Sequence, residues 1–251
     1  MTVLVPTMGA LHKGHQALIR RARTLDKNVV VSIFVNPLQF ENKVDLEKYP
    51  RNAQRDIELA TLAGATEVWL PDYEEIFPDE IKKISAGPLG LVFEGHSRPD
   101  HFDGVVTVVN RLFEIVKPKA AVFGEKDFQQ LTIIKSMKSQ VEIVSSPTVR
   151  EFDGLALSSR NVRLSAKGRI SANIIHRALV AAHLAPSVEV AQEVISSTLA
   201  SESSFTLDYA AIINEENFEI ANNETPNRRA IIAGWIEGVR LIDNMKMGQG
   251  R

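Results

Sequence analysis

Residues 3–25 read VLVPTMGALHKGHQALIRRARTL, and the fold is decided in this stretch. Val3–Val5 is a short apolar strand, Pro6–Gly9 turns the chain, and Gln16–Leu25 carries Leu18, Ile19, Ala22 and Leu25 at helical spacing. A strand that passes through a tight turn into a helix opens a β/α unit, which needs a second parallel strand next. Asn28–Val35 supplies it as a continuous apolar, β-branched run closed by Asn36-Pro37, the pattern of a strand covered on both faces. Further along, Arg51–Ala63 is an amphipathic helix that Gly64 can end, and Glu67–Leu70 reads as a third strand. Val105–Val116 is again helical, Ala120–Gly124 a strand, Gln129–Ser139 a helix and Val141–Val144 a strand. This succession predicts an α/β architecture, a Rossmann-like doubly wound parallel sheet.

Past Pro147–Arg150 the pattern changes. Ser165–Ala185 and Val188–Ser201 are consecutive helices with no strand between them, followed by β-like runs at Leu207–Ile213, Arg229–Ala233 and Val239–Ile242. The last two are joined by a short stretch containing Gly234 and Gly238. A second, smaller α+β domain follows from this, giving residues 1–150 and 151–251 as the two parts. No internal repeat is visible, which argues against a solenoid or propeller.

The composition narrows the chemistry. Of 251 residues, 44% are hydrophobic and 24% charged, ordinary values for a chain that folds around its own core. Twenty-nine Lys and Arg against 31 Asp and Glu leave a net charge of −2, too little for a non-specific field toward nucleic acid or membranes, so any anion site must be local. Cysteine is absent, which removes thiol nucleophiles, disulfides and Cys-ligated metals. The Met-Thr-Val-Leu-Val-Pro start has no basic region ahead of an apolar stretch, and no apolar run approaches the roughly 18 residues of a membrane span. A soluble, cytoplasmic protein is expected.

Ligands of a doubly wound sheet sit beyond the carboxyl ends of its strands, which points to Pro6–His15, Asn36–Phe40, Gly124–Gln130 and the inter-domain stretch. The first enters a helix, where backbone N–H groups and the helix dipole favour an anion. His12 and His15, three apart, could hydrogen-bond the oxygens of a reacting phosphate; either alone reads as well as a helix cap, a surface residue or a zinc ligand. Lys126 can neutralise phosphate charge, or be solvated or paired. Gln39 offers an amide that donates and accepts, or it stabilises a turn. Arg98 and His101 read equally as anion binders and as a surface ion pair with a helix-entry contact. Ser158, Ser159 and Arg160 combine hydroxyls with positive charge, or form a solvated turn.

His12-Lys13-Gly14-His15 resembles the H-x-G-H signature of the nucleotidyl-transferring superfamily that includes class I aminoacyl-tRNA synthetases and small adenylyltransferases. The longer Pro6-Thr7-Met8-Gly9-Ala10-Leu11-His12-x-Gly14-His15 form resembles the pantothenate synthetase family, ligases that join pantoate to β-alanine with ATP. Four more segments resemble that family's motifs: Ser32–Phe40 with Asp45–Arg51, Arg98–Gly104, Gly124–Leu131, and Pro147–Glu151 with Leu157–Asn161, the last a counterpart of the synthetase K-M-S-K-S loop. Phe128 stands where Tyr is common, Leu157 where Met is usual, and the segment ahead of the first strand is shorter than in most members.

The resemblance implies a catalytic group of His12, His15, Lys126 and Arg160. It implies ATP contacts from Met8, Gly9, Ala10, Leu11, His12, Lys13, Gly14 and His15, from Gly124, Glu125, Lys126 and Asp127, and from Val149, Leu157, Ser158, Ser159 and Arg160. Gln39 and Gln130 would hold pantoate and Gln39 also β-alanine. Mg²⁺ would accompany ATP with no protein ligand named, two copies would form a homodimer, and neither nucleic acid nor membrane would be a partner. Two readings compete on the residues alone. A nucleotidyltransferase of the same superfamily would share the first motif without needing Gln39 and Gln130 together, and a non-catalytic nucleotide-binding module would keep the pocket without turnover.

Overall fold

The computed structural model describes residues 1–40, 46, 47 and 49–248. Asp45 and Lys48 of the Asp45–Arg51 segment lie outside the described residues. The chain divides between Val149 and Arg150 into two compact units.

In the first unit, β1 (Thr2–Thr7), β2 (Asn28–Ile33), β3 (Glu67–Trp69), β4 (Ala120–Gly124) and β5 (Glu142–Ser146) form a parallel sheet in the order β3-β2-β1-β4-β5. The helices α1 (Lys13–Leu25), α2 (Ala53–Ala63), α3 (His101–Val116) and α4 (Phe128–Ser136) carry the chain between strands. Successive strand residues point to opposite faces. Val3, Val5, Val29, Val31, Ala120 and Val122 pack with Ile19 and Ala22 of α1 and Ala60 and Ala63 of α2. Leu4, Val30, Ala121 and Phe123 pack on the other side with Val105, Val109 and Leu112 of α3 and Leu131 and Ile134 of α4. Both faces need apolar side chains, which is why these strands read as unbroken hydrophobic runs.

The winding changes direction at β1, so β1 and β4 neighbour each other with their helices on opposite faces. Their carboxyl ends flank the crevice in which doubly wound proteins bind ligands. β1 outlasts the expected Val5 end because its pairing with β4 stops at Leu4 while its register with β2 continues to Thr7 opposite Ile33. Pro6 therefore lies where only one neighbour has to be satisfied. Gly64, at φ +110°, ends α2 with its N–H on the Ala60 and Thr61 carbonyls.

In the second unit, α5 (Ala166–Ser171), α6 (Ile174–His183) and α7 (Val188–Ala200) precede an antiparallel sheet of β6 (Thr206–Asn214), β7 (Arg228–Ile236) and β8 (Val239–Lys246) in the order β6-β7-β8. Ile175, Leu179 and Ile195 from the helices and Ile212, Ile232, Ile236 and Leu241 from the sheet share its core. The whole is thus a doubly wound α/β unit followed by a smaller α+β unit. Two expectations are corrected. The single helix over Ser165–Ala185 is broken between α5 and α6, where Asn173 N–H bonds the Ile170 carbonyl and its side chain donates to the Asp153 carbonyl at 2.6 Å. Gly234 lies inside β7 rather than in the connection, where any Cβ would strike the Phe205 ring; the β7–β8 turn is Glu237-Gly238, both at positive φ as a two-residue hairpin requires. Among the described residues, no helix is long and apolar enough to cross a membrane.

Arg150 closes this unit on itself. Its guanidinium meets the buried Asp243 carboxylate through two bonds of 2.6 and 3.0 Å and also donates to the Gly154 and Asn244 carbonyls. Removing one partner of such a pair leaves a poorly solvated charge. Asp243→Asn should lower the stability of the second unit by about 3 kcal/mol in urea denaturation; a loss under about 1 kcal/mol would class the pair with solvent-screened surface bridges.

Candidate active site

Thr7 ends β1 with its hydroxyl donating to the Ser32 carbonyl at 2.8 Å and accepting from Gly9 N–H at 3.3 Å. The chain then turns through Gly9 at φ +83° and Ala10 at φ +50°. A Cβ at Gly9 would come within 2.9 Å of Asp56 Oδ2, so conformation and space both require glycine there. Asp56 is the reason for the crowding. Buried in the first turn of α2, its carboxylate accepts Ala10 N–H at 2.9 Å and Leu11 N–H at 2.7 Å. The N–H groups of Gly9, Ala10 and Leu11 thus have protein acceptors, and the anion-binding expectation for this loop passes to the side chains at the start of α1. Sequence reading missed Asp56, since a carboxylate in a helix's first turn is also what the helix dipole favours with no loop to hold.

His12 is the N-cap of α1 and His15 lies three residues in. His12 Nδ1 accepts Gly14 N–H at 3.1 Å, and His15 Nδ1 accepts His12 N–H at 3.3 Å. The two rings lie 4.1 Å apart between centroids. A nitrogen that accepts carries no proton, so each neutral ring holds its hydrogen on Nε2. The capping reading and the donor reading are therefore compatible, because Nδ1 fixes the ring and Nε2–H is left to donate.

Electrostatics keep both rings neutral. Burial pushes His12 down to about 4, helped by the Lys126 ammonium and opposed by the Asp127 carboxylate. Burial pushes His15 down to about 3, helped by His12 and Lys126 and again opposed by Asp127. Lys126 and Asp127 belong to the Glu125–Asp127 turn that follows β4, the strand paired with β1. Lys126 Nζ lies 3.4 Å from Asp127 Oδ1, and Gly124 faces Leu18 of α1.

After β2, Asn36 caps the short turn Pro37–Gln39, its Oδ1 accepting Leu38 N–H at 3.2 Å. Asn36 Nδ2 donates to Gln39 Oε1 at 3.1 Å, leaving the Gln39 NH₂ as the end that can serve a ligand. The adjacent glutamines of α4 part company. Gln129 is buried, donating to the Leu89 and Val92 carbonyls at 2.7 and 2.8 Å and accepting Glu94 N–H, while Gln130 is half-buried. Val149 is the last residue of the first unit. In the second unit, Ser158 caps the turn Ser159–Arg163, its Oγ accepting Arg160 N–H at 3.3 Å and keeping its own hydrogen to donate. Leu157 and Ser159 flank it, half-buried.

The model of the pantoate-beta-alanine ligase family matches residues 1–246. The pantothenate synthetase of Acidothermus cellulolyticus is 44% identical over 97% of this chain and 84% of its own length. That of Thermus thermophilus is 45% identical over 97% and 92%. A crystal structure of pantothenate synthetase from Thermus thermophilus superposes with a TM-score of 0.94 at 43% identity, over 98% of this chain and 93% of that one. A Francisella tularensis pantoate-beta-alanine ligase, described as complexed with beta-gamma ATP and beta-alanine, gives 0.80 at 36% identity, over 98% and 89%.

The histidine pair has a measurable cost in acid. Unfolded, each ring takes up a proton near 6.5; folded, they hold out to about 4 and about 3. Their contribution to stability is therefore complete above pH 6.5 and is lost as pH falls below it, by up to about 1.4 kcal/mol per pH unit for each proton. Urea denaturation from pH 7 to 4.5 should show this slope, and His15→Gln should flatten it by one proton. Equal slopes in the two proteins would mean that His15 is already protonated in the fold.

Proposed function

Because the chain belongs to the pantoate-beta-alanine ligase family, we infer that it is an ATP-dependent ligase condensing pantoate with β-alanine to give pantothenate, AMP and pyrophosphate. One observation supports carrying the reading onto these residues: the capped His12–His15 pair feels the charge of Lys126 from the turn after the neighbouring strand β4, in a chain whose residues 1–246 match the family.

A carboxylate does not acylate an amine at neutral pH, because oxide is too poor a leaving group. In the proposed first step the pantoate carboxylate attacks the α-phosphorus of ATP, the bond to the β-phosphate oxygen breaks, and pyrophosphate leaves pantoyl adenylate behind. In the second, the β-alanine amine attacks the acyl carbon, AMP departs and the amine loses a proton. Negative charge gathers on phosphate oxygens in both. His12 and His15 supply directional Nε2–H donors already oriented by their Nδ1 bonds, and Lys126 supplies the charge. The proposed ATP contacts run over Met8–His15, Gly124–Asp127 and Val149, together with Leu157, Ser158, Ser159 and Arg160. Gln39 and Gln130 grip pantoate, and Gln39 also meets β-alanine. With its oxygen held by Asn36, Gln39 turns an NH₂ group toward the hydroxy acid, which suits a carboxylate or hydroxyl oxygen.

Magnesium is proposed to enter as MgATP, where it offsets phosphate charge. Among the described residues there is no group of three or more His, Asp or Glu side chains that could hold a metal ion; the proposal gives the ion to phosphate and water oxygens because Mg²⁺ favours them. Action as a homodimer in the cytoplasm rests on the family resemblance; sedimentation of the purified protein tests the first.

Incubating the protein with MgATP, pantoate and β-alanine should release AMP and pantothenate together, with neither formed when pantoate is omitted. His15→Ala and, separately, Lys126→Ala should leave the fold intact and slow pyrophosphate release from ATP and pantoate at least about a hundredfold. Near-normal release from both variants overturns the assigned roles.

A further inference from the structure

The turn that carries Gln39 is held from behind by the segment Arg98–Gly104. His101, buried at the start of α3, lies with Nδ1 2.9 Å from the Gln39 backbone carbonyl. Arg98 reaches the same carbonyl with Nη2 at 3.3 Å and His101 Nε2 with Nη1 at 3.2 Å. Only one proton arrangement satisfies these contacts. A carbonyl only accepts, so Nδ1 carries the hydrogen; a guanidinium only donates, so Nε2 carries none. The imidazole is thus a neutral relay, receiving from Arg98 and giving to Gln39.

The same segment supports the turn twice more. The Gly104 carbonyl accepts Asn36 Nδ2 at 3.1 Å, and that amide group is the one that holds Gln39 Oε1. Gly104 also lets α3 approach backbone to backbone: a Cβ there would collide with the Leu38 carbonyl and lie 2.9 Å from Gln39 N. Backbone carbonyl, side-chain oxygen and the path of the chain are therefore all set for Gln39 by one segment. A surface ion pair or a bare helix entry requires none of this convergence.

We propose that Arg98 and His101 are positioning residues that fix Gln39 for the hydroxy acid, acting through its backbone without touching substrate. The proposal rests on Gln39 holding pantoate. A binding group on a loop after a strand needs such support, since a displacement of about 1 Å can cost a hundredfold in rate.

The test compares KM for pantoate with KM for ATP in the full chain. His101→Ala should raise the pantoate KM about tenfold or more and leave the ATP KM within about twofold. His101→Asn places an amide N–H near the position of Nδ1 and should recover most of the loss. Arg98→Lys should fall between, because one ammonium cannot span both acceptors. In a Gln39→Ala background, His101→Ala should add almost nothing to the pantoate KM, since the residue it positions is gone.

Parallel rises in both KM values, no recovery by Asn in a variant of unchanged Tm, or the full His101→Ala penalty persisting in the Gln39→Ala background would each overturn the proposal. Wild-type pantoate turnover with a normal pantoate KM for Gln39→Ala defeats the role of Gln39 itself. Sensitivity to Gln39→Ala with none to His101→Ala defeats the positioning alone.

Discussion

A parallel sheet whose winding reverses at one strand leaves that strand's carboxyl end uncovered by either neighbouring crossover, and the candidate residues that follow β1 and β4 are arranged around this consequence. β1 is that strand. The loop leaving it cannot be closed over by the connection from β4, because the two connections pack on opposite faces. The loops after β1, β2 and β4 are therefore gathered at one edge without sealing it. The apolar content of the strands is the cost of the same geometry: residues buried on both faces leave no side chain within the sheet for chemistry, so polar function is confined to strand ends.

At such an edge, backbone N–H groups left by a tight turn either bind the ligand or find a partner. Asp56 decides the matter for this loop. By accepting from Ala10 and Leu11 it removes two donors from the anion's reach and in return fixes the turn through Gly9 and Ala10. The chain thereby enters α1 in an orientation that lets His12 cap it. The order of dependence runs from a buried carboxylate on α2, to a turn with positive φ, to a histidine cap, to two oriented Nε2–H groups. Asp56→Ala would leave two poorly solvated N–H groups, each worth about 1–3 kcal/mol, and would release the histidines as well as the turn.

The first unit was legible in the sequence where burial is two-sided, because Val3–Val5, Ala120–Gly124 and the Asn28–Ile33 part of the run expected to reach Val35 have only one way to satisfy both faces. Boundaries shifted where satisfaction is one-sided, as at Pro6, which only the end of pairing with β4 permits. The break at Asn173 was hidden because apolar spacing continues on both sides of it, and what stops the helix is a side-chain bond to a carbonyl twenty positions back in the chain. Site residues divided in the same way. The histidines, Lys126 and the glutamines lie in short motifs whose residue types announce chemistry. Asp56 and Gln129 act on main-chain groups of other segments, and a partner distant in sequence leaves no local pattern; Arg98 and His101 stand out by residue type, but the Gln39 carbonyl they meet does not. Gln129 and Gln130 are the sharpest instance: identical neighbours, one spent on the carbonyls of Leu89 and Val92, and nothing in the pair says which.

The neutrality of the histidines bears on how the site can stabilise developing charge. A cationic imidazole beside Lys126 would add positive charge, but burial and that same ammonium disfavour it, and the Nδ1 bonds from Gly14 and His12 N–H would be lost on protonation. Charge and direction are consequently supplied by different groups. Lys126 provides a flexible cation, partly offset by Asp127; the histidines provide fixed dipoles whose orientation is set before any ligand arrives. In the proposed two-step route, where charge moves from a carboxylate to pyrophosphate and then to AMP, preorganised neutral donors would favour each oxyanion as it forms without binding the resting triphosphate so tightly that it cannot leave.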